Sequence, residues 1–449
     1  TIDGSAYQAD GISPDNSNTA TLGAGGTVGL GADGLPATGD EPVLSQLSGP
    51  ELEIRNGTNV RTGLDIQANS AIIRSISIHG FGQNIDADVD GNIRVGLDGT
   101  TDFTGVLIEQ NVIGAGAGSF VSPPVITDGD GIIVRGADGG ILRNNLIGFH
   151  YRSGIKTHDD ATGWLIEDNE FRSNGTTTRY GDGIDLGYIT GTATISRNLL
   201  VNNGASGVDS YESNGSNVIT NNTISGNGFA GQTDQETAGV RLFGTDNDVT
   251  LNLIENSFGP GVLVVGDGAA LNQPSLRNQI TRNVFSANGS IAIDLLANGG
   301  DDNFGDGVTV NDGATDATHG NNALDYPIID AAFISGGNLT VTGFARPNVE
   351  IEFYEAVGAA NDNNTSGNPH GEGVVFLFAA TESSAAVPVD NDSGPGNYTD
   401  AGYGTDASAN RFSLTIATPA GLSLGDEISP IAYTAADGTS EFGPNFTVT

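Results

Sequence analysis

The chain has 449 residues with 55 acidic against 16 basic side chains, a formal net charge of −39, and a surface of that sign repels nucleic acid and anionic lipid. Sixty-eight glycines without a Gly-X-Y period exclude collagen, and the absence of an 18-residue apolar run excludes a membrane-crossing helix. Cysteine and methionine are both missing, which fits a bacterial exported protein better than a cytosolic enzyme and excludes thiolate chemistry. The favoured counter-species of so acidic a surface are divalent cations.

Residues 1–60 have no period, although Pro50 to Ile54 reads as a strand, and they are expected to cap the first coil of the repeat that begins at residue 61. The start at Thr1 without a leader pattern is expected of a trimmed exported chain.

From 61 to 296 one unit repeats. Gly-apolar-x-apolar segments begin at Gly63, Gly105, Gly131, Gly154, Gly183, Gly207, Gly239 and Gly261, and Ser290 closes the series. From Gly131 the steps are 23, 29, 24, 32, 22 and 29 residues. A second landmark, an asparagine with an apolar residue two places later, recurs at Asn111, Asn145, Asn169, Asn198, Asn222, Asn252 and Asn283. Two landmarks keeping one drifting period, with short strands and no helical periodicity, predict a right-handed parallel β-helix of about eight or nine coils, stacked at roughly 4.8 Å. The asparagines are expected to form a ladder at a bend and to take up its left-handed backbone; in the first coil Ile76 stands in that place.

Residues 297–325 read as an acidic linker loop. Asp301, Asp302, Asp306, Asn311, Asp312, Asp316 and Asn321 offer oxygen ligands for calcium there, the one cofactor expected. Beyond it, 326–449 holds period-two runs separated by turn-rich loops and is expected to form an antiparallel, immunoglobulin-like β-sandwich, which makes the whole chain all-β.

These residues resemble a large group of bacterial cell-surface proteins with right-handed parallel β-helix repeats and a C-terminal β-sandwich. The resemblance rests on Thr1 to Gly4, on the Ile108 to Gly114 repeat, on Ala292 to Leu295 with Asp306 to Asp312 and Gly320-Asn321, and on Pro347 to Tyr354, Gly371 to Gly373 and Thr439 to Phe442. It implies an extracellular or cell-surface protein, structural or adhesive.

One face carries most of the candidate chemistry. If the apolar residues of each Gly-apolar-x-apolar strand point inward, the alternate ones form an outer row, whose middle holds Lys156, the only lysine, His158, Asp185, Asp209, Tyr211 and Arg241. Elimination or epimerisation of uronic-acid polysaccharides needs such a set, and a resemblance to the pattern of β-helix polysaccharide lyases, a lysine with an arginine on a nearby coil, implies Lys156 as base, Arg241 against the sugar carboxylate, and Asp209 and Tyr211 assisting. Three functions therefore fit the sequence: a surface or matrix rod able to self-assemble through strand edges at both ends, a lyase or epimerase, and a non-catalytic glycan-binding rod stacking sugars on Tyr211 and Phe243. The partners expected are glycans or further copies of the chain, without nucleic acid and without membrane insertion.

Overall fold

The computed structural model describes the chain apart from residues 6–15, 57–59, 83–88, 98–102, 126–128, 176–180, 190, 212, 214, 229–235, 267–274, 298–303, 359–368 and 401–403. Three parallel sheets of nine strands each wind around a single apolar core. The first runs from Ile2–Asp3 to Gln279–Thr281, the second from Thr62–Ile66 to Ile293–Leu296, and the third from Leu52–Arg55 to Val284–Ser286. Each strand pairs with strands one coil before and after it, as Leu142 does with Ile108 and Ile166. This is the expected right-handed parallel β-helix.

Columns of branched apolar side chains fill the interior. Ile132, Ile155, Ile184, Val208, Val240 and Val262 stack from the second sheet, and all are fully buried. Burying one such side chain contributes about 1.5–3 kcal/mol. The glycines preceding them are needed because the next coil passes too close for a side chain. A Cβ on Gly154 would stand 2.6 Å from the Gly183 carbonyl oxygen, and one on Gly183 would stand 2.7 Å from that of Gly207.

The asparagine ladder is present: Nδ2 of Asn111, Asn145, Asn169, Asn198, Asn222 and Asn252 each donates to Oδ1 of the next member at 2.9–3.0 Å. Ile76 occupies the first rung, and its N–H donates to Asn111 Oδ1. The left-handed backbone, however, falls on the residue before each rung, at Gln110, Asn144, Asp168, Arg197, Asn221, Leu251 and Arg282. The rungs themselves are not in the left-handed region.

Two further ladders stand beside it. One is Asn217, Asn247, Asn278 and Asn321; the other is Asn174, Asn203 and Asn227, with His150 preceding it, and one coil on Ser257 donates its N–H to Asn288 Oδ1. Gly105 is no counterpart of the other glycines either. Its strand Leu107–Glu109 lies in the first sheet, and the second-sheet strand of that coil is Gly91–Val95, where Asn92 hides the apolar pattern.

Of residues 1–60, Ile2–Asp3 pairs with Ile72–Arg74 and Leu52–Arg55 with Ile76–His79, so these parts complete a coil. The described residues from 16 to 51 run along the flank, where the expectation was a cap over the first coil. Leu22 and Leu47 pack on Val112 and Leu146, Ala24 N–H donates to Glu170, Gly29 N–H to Thr223, and Asp33 accepts from Arg282 near the far end.

From Ile328 the strands are antiparallel. Ile328–Ser335, Asn338–Ala345 and Asn410–Ala417 form one sheet, facing a second built on Glu350–Gly358, Gly371–Thr381 and Glu427–Thr434, with a shared apolar core. Tyr354, Ile431 and Phe442 from this unit join the β-helix core at its last coil. The exit edge is thereby covered, contrary to the expectation of open strand edges at both ends.

Candidate functional site

Register in the second sheet sets one outward column: Asp65, Arg94, Ile133, Lys156, Asp185, Asp209, Arg241, Leu263 and Asp294. Its middle forms one wall of a pocket of about 380 Å³ lined by Lys156, Asp182, Asp185, Tyr188, Asp209, Tyr211, Glu236 and Arg241. Strands here shrink to two residues, Ile184–Asp185 and Val208–Asp209, and the chain then bends away. Farther along, Leu263 and Val265 are buried with Phe243 and Leu296, so the outer row expected at those coils is covered.

Five of the six expected residues, Lys156, Asp185, Asp209, Tyr211 and Arg241, line this pocket, and His158 lies outside its lining, against the Tyr188 ring. Lys156 Nζ lies 3.6 Å from Asp185 Oδ2, while Asp185 Oδ1 accepts the Gly187 N–H. His158 Nδ1 is 2.7 Å from Asp159 Oδ1, and Asp159 also meets Arg135. Arg241 is 2% exposed, and its Nη1 reaches Asp209 at 3.1 Å and Glu236 at 2.9 Å. Its guanidinium also lies over the rings of Tyr211 and Phe243, so it serves as an internal clamp where a partner for a sugar carboxylate was expected.

Rings climb the coils beside the charged column. His158 and Tyr188 are 4.6 Å apart, Tyr188 and Tyr211 6.2 Å, and Tyr211 and Phe243 5.4 Å between centroids. Tyr188 is 40% exposed, which leaves an aromatic surface at the pocket rim.

Buried acids dominate the electrostatics. Asp182 is held well above the usual carboxylate range by burial, and then by Glu236, Asp209 and Asp185; Arg241 opposes them. Asp209 is raised in the same way, burial outweighing Arg241. Nearby Asp130 is pushed up to about 7 by burial, against Lys156 and Arg152. Asp182 and Asp209 are 2% and 3% exposed, and Oδ1 of each has no hydrogen-bond partner among the described residues.

Four of these residues were not singled out from the sequence. Asp130 and Asp182 each precede a repeat glycine, a position whose polar members, Asp130, Ser153, Asp182 and Ser206, were a readable signal. Glu236 sits in the longest of the steps that follow Gly131, and extra loop length is where function is carried. Tyr188 follows a two-residue strand and offered no periodic signal.

The expected calcium loop is distributed differently. Asp301 and Asp302 lie outside the described residues. Asn321 is a rung of a ladder, and Asn311 donates to the Tyr326 carbonyl and the Tyr398 hydroxyl. Asp312 and Asp316 accept local N–H groups from Ala314 and Thr318, and Asp306 Oδ2 stands 3.5 Å from the Ala297 nitrogen. Among the described residues, the acidic set that gathers its oxygens within 4.8 Å is Asp182, Asp209 and Glu236.

The family described as "Periplasmic copper-binding protein (NosD)" matches residues 108–338, just over half of the chain. Solved structures with a similar path include the pectate lyase Pel9A, with 12% identity, a TM-score of 0.32, and 54% of this chain and 69% of that one covered. An alginate lyase from Paenibacillus sp. str. FPU-7 has 14% identity and a TM-score of 0.34, covering 56% and 84%. The Streptococcus pneumoniae surface protein and adhesin PfbA has 13% identity and a TM-score of 0.28, covering 60% and 73%. At such low identity and TM-score, the chemistry of the pocket has to be read from its own residues.

Proposed function

The chain belongs to the NosD family, and on that premise we propose that it is an exported envelope protein that grips a polysaccharide in the second-sheet pocket as an adhesive rod. The observation that carries this reading is the row of Tyr188 and Tyr211 rings beside Lys156, Asp185 and Asp209. A sugar ring offers its C–H face to an aromatic ring and its hydroxyls to carboxylates. Buried acids with unpartnered oxygens also cost stability, so a face serving only solubility would not keep them. Elimination chemistry is less favoured, because Arg241 is committed to Asp209 and Glu236.

Copper, named in the family's description, is not matched by the donor set. Cysteine and methionine are absent. His150 is enclosed by Asn92 and Asn174, His370 is bonded to the Phe442 carbonyl, and His79, His158 and His319 pair with Glu53, Asp159 and Asp316. Among the described residues no three-residue set that could hold a metal includes a histidine. No step is therefore assigned to copper.

The test is calorimetric titration of neutral, amino-sugar and uronate polysaccharides, with product analysis alongside. Saturable binding that weakens about tenfold in Tyr188→Ala, without new products, is the expected result. Silence across the panel would leave a purely structural rod, and unsaturated uronate products that vanish in Lys156→Ala would make it a lyase.

A further inference from the structure

The described lining of the pocket is rich in acids. Asp182, Asp185, Asp209 and Glu236 stand there with Lys156 and Arg241. Burial makes an ionised carboxylate costly in such a place unless a counter-charge is bound. Asp182 contributes Oδ2 to Ser153 Oγ at 3.4 Å, and Asp209 contributes Oδ2 to Arg241. Their Oδ1 atoms, both inside, have no hydrogen-bond partner among the described residues. These are oxygens of buried side chains lining the pocket, and Glu236 brings a third carboxylate to the same point.

We propose that Asp182, Asp209 and Glu236 form a binding site for one hard divalent cation, calcium in the first instance. One oxygen from each residue lies within 4.8 Å of the others, the span that oxygens bound to a single ion at about 2.4 Å occupy. All three donors are carboxylate oxygens, the ligand type of calcium and magnesium. The carriers come from different places, Asp182 before a repeat glycine, Asp209 on the next coil's strand and Glu236 on the loop after that, so the ion would tie three successive coils together. Asp185, paired with Lys156 at the rim, stays outside the set. The cation site stands whether or not the pocket takes a saccharide, since the experiment contains no saccharide.

Metal-stripped protein is titrated with calcium chloride by calorimetry, and melting is followed with and without calcium, for the wild type, Asp182→Asn and Glu236→Gln. The wild type is expected to bind one calcium and melt higher with it. Asp182→Asn removes a carboxyl whose charged form burial disfavours, so it should melt no lower than wild type without calcium, while its calcium affinity falls at least about tenfold and its calcium-induced rise disappears. Glu236→Gln should lose affinity as well. No saturable binding in the wild type, or binding of equal strength in both variants, overturns the proposal; the second result would place the ion elsewhere, such as in the loop of Asp306, Asp312 and Asp316.

Discussion

The carboxylate of Glu372 accepts both the backbone N–H and the side-chain amide of Asn288, each at 2.8 Å. Glu372 lies in the sandwich and Asn288 in the last coil, so an acidic residue takes the place of the next rung. The same substitution of acceptor for coil recurs across the exit end. Glu352 accepts the Arg282 N–H, Glu441 the Leu295 N–H, and Thr439 Oγ1 the Ile280 N–H. The sandwich thus satisfies donors that a tenth coil would otherwise have taken.

Glu372→Ala should lower unfolding stability by about 2–4 kcal/mol, because two buried donors of Asn288 lose their acceptor. Glu372→Gln keeps an acceptor oxygen and should lose far less. Urea unfolding of both variants measures the difference, and equal losses would argue against the capping role.

Burial pushes Glu352 up to about 7, with Tyr354 and Arg282 opposing the shift and Glu350 adding to it. Between its ordinary 4.5 and about 7, the folded chain holds a proton that the unfolded chain has released. Stability from this group is therefore full below pH 4.5 and declines as pH rises through that window. In Glu352→Gln the corresponding fall in melting temperature should flatten. A slope identical to wild type would rule out Glu352 as its source.

His150 has the opposite sign. Burial lowers it from 6.5 to about 4, and its ring sits between Asn92 Nδ2 at 3.0 Å and Asn174 Oδ1 at 2.7 Å, an arrangement that suits the neutral ring with the proton on Nδ1. Below pH 6.5 the unfolded chain takes up a proton that the fold refuses, so stability is lost as pH falls from 6.5 towards 4. His150→Ala should cost about 2 kcal/mol at neutral pH and lose that acid-side slope. Melting curves at stepped pH provide the comparison.

Asn198 donates to Asn222 Oδ1 and the Ile166 carbonyl, and accepts from the backbone and side chain of Asn169. Asn198→Ala should destabilise by about 3 kcal/mol, and Asn198→Asp by more, since it replaces a buried donor with a charge. A shifted urea midpoint with unchanged slope is the expected signature.

Gly183→Ala should cost about 2 kcal/mol or more, because its Cβ would stand 2.7 Å from the Gly207 carbonyl oxygen and 3.0 Å from Leu200. An alanine at the exposed turn glycine Gly336 meets nothing within 4 Å, yet its φ of +60° leaves backbone strain alone, so the pair separates crowding from strain. Thermal melts of the two variants should differ, with Gly183→Ala the lower.

The period of the β-helix was legible because close packing imposes it locally. Each coil must bring a glycine under the next coil's carbonyl and an asparagine onto the next rung, so both recur in the chain whatever the loops do. Five pocket residues, Lys156, Asp185, Asp209, Tyr211 and Arg241, could be picked out by the same alternation. Asp182 and Glu236 could not, since neither stands on an alternating position of a strand.

From its sequence alone, this protein is determined as a stacked parallel coil followed by antiparallel strands, with one charged outer row, because those features follow from residue spacing. Only the tertiary structure decided that Arg241 is clamped inside that row and that three carboxylates from separate coils share one point. Only it decided that glutamates of the sandwich close the last coil. Each depends on the loop path and on distances between segments 30 to 150 residues apart, where burial sets the cost of a charge and periodicity carries no information.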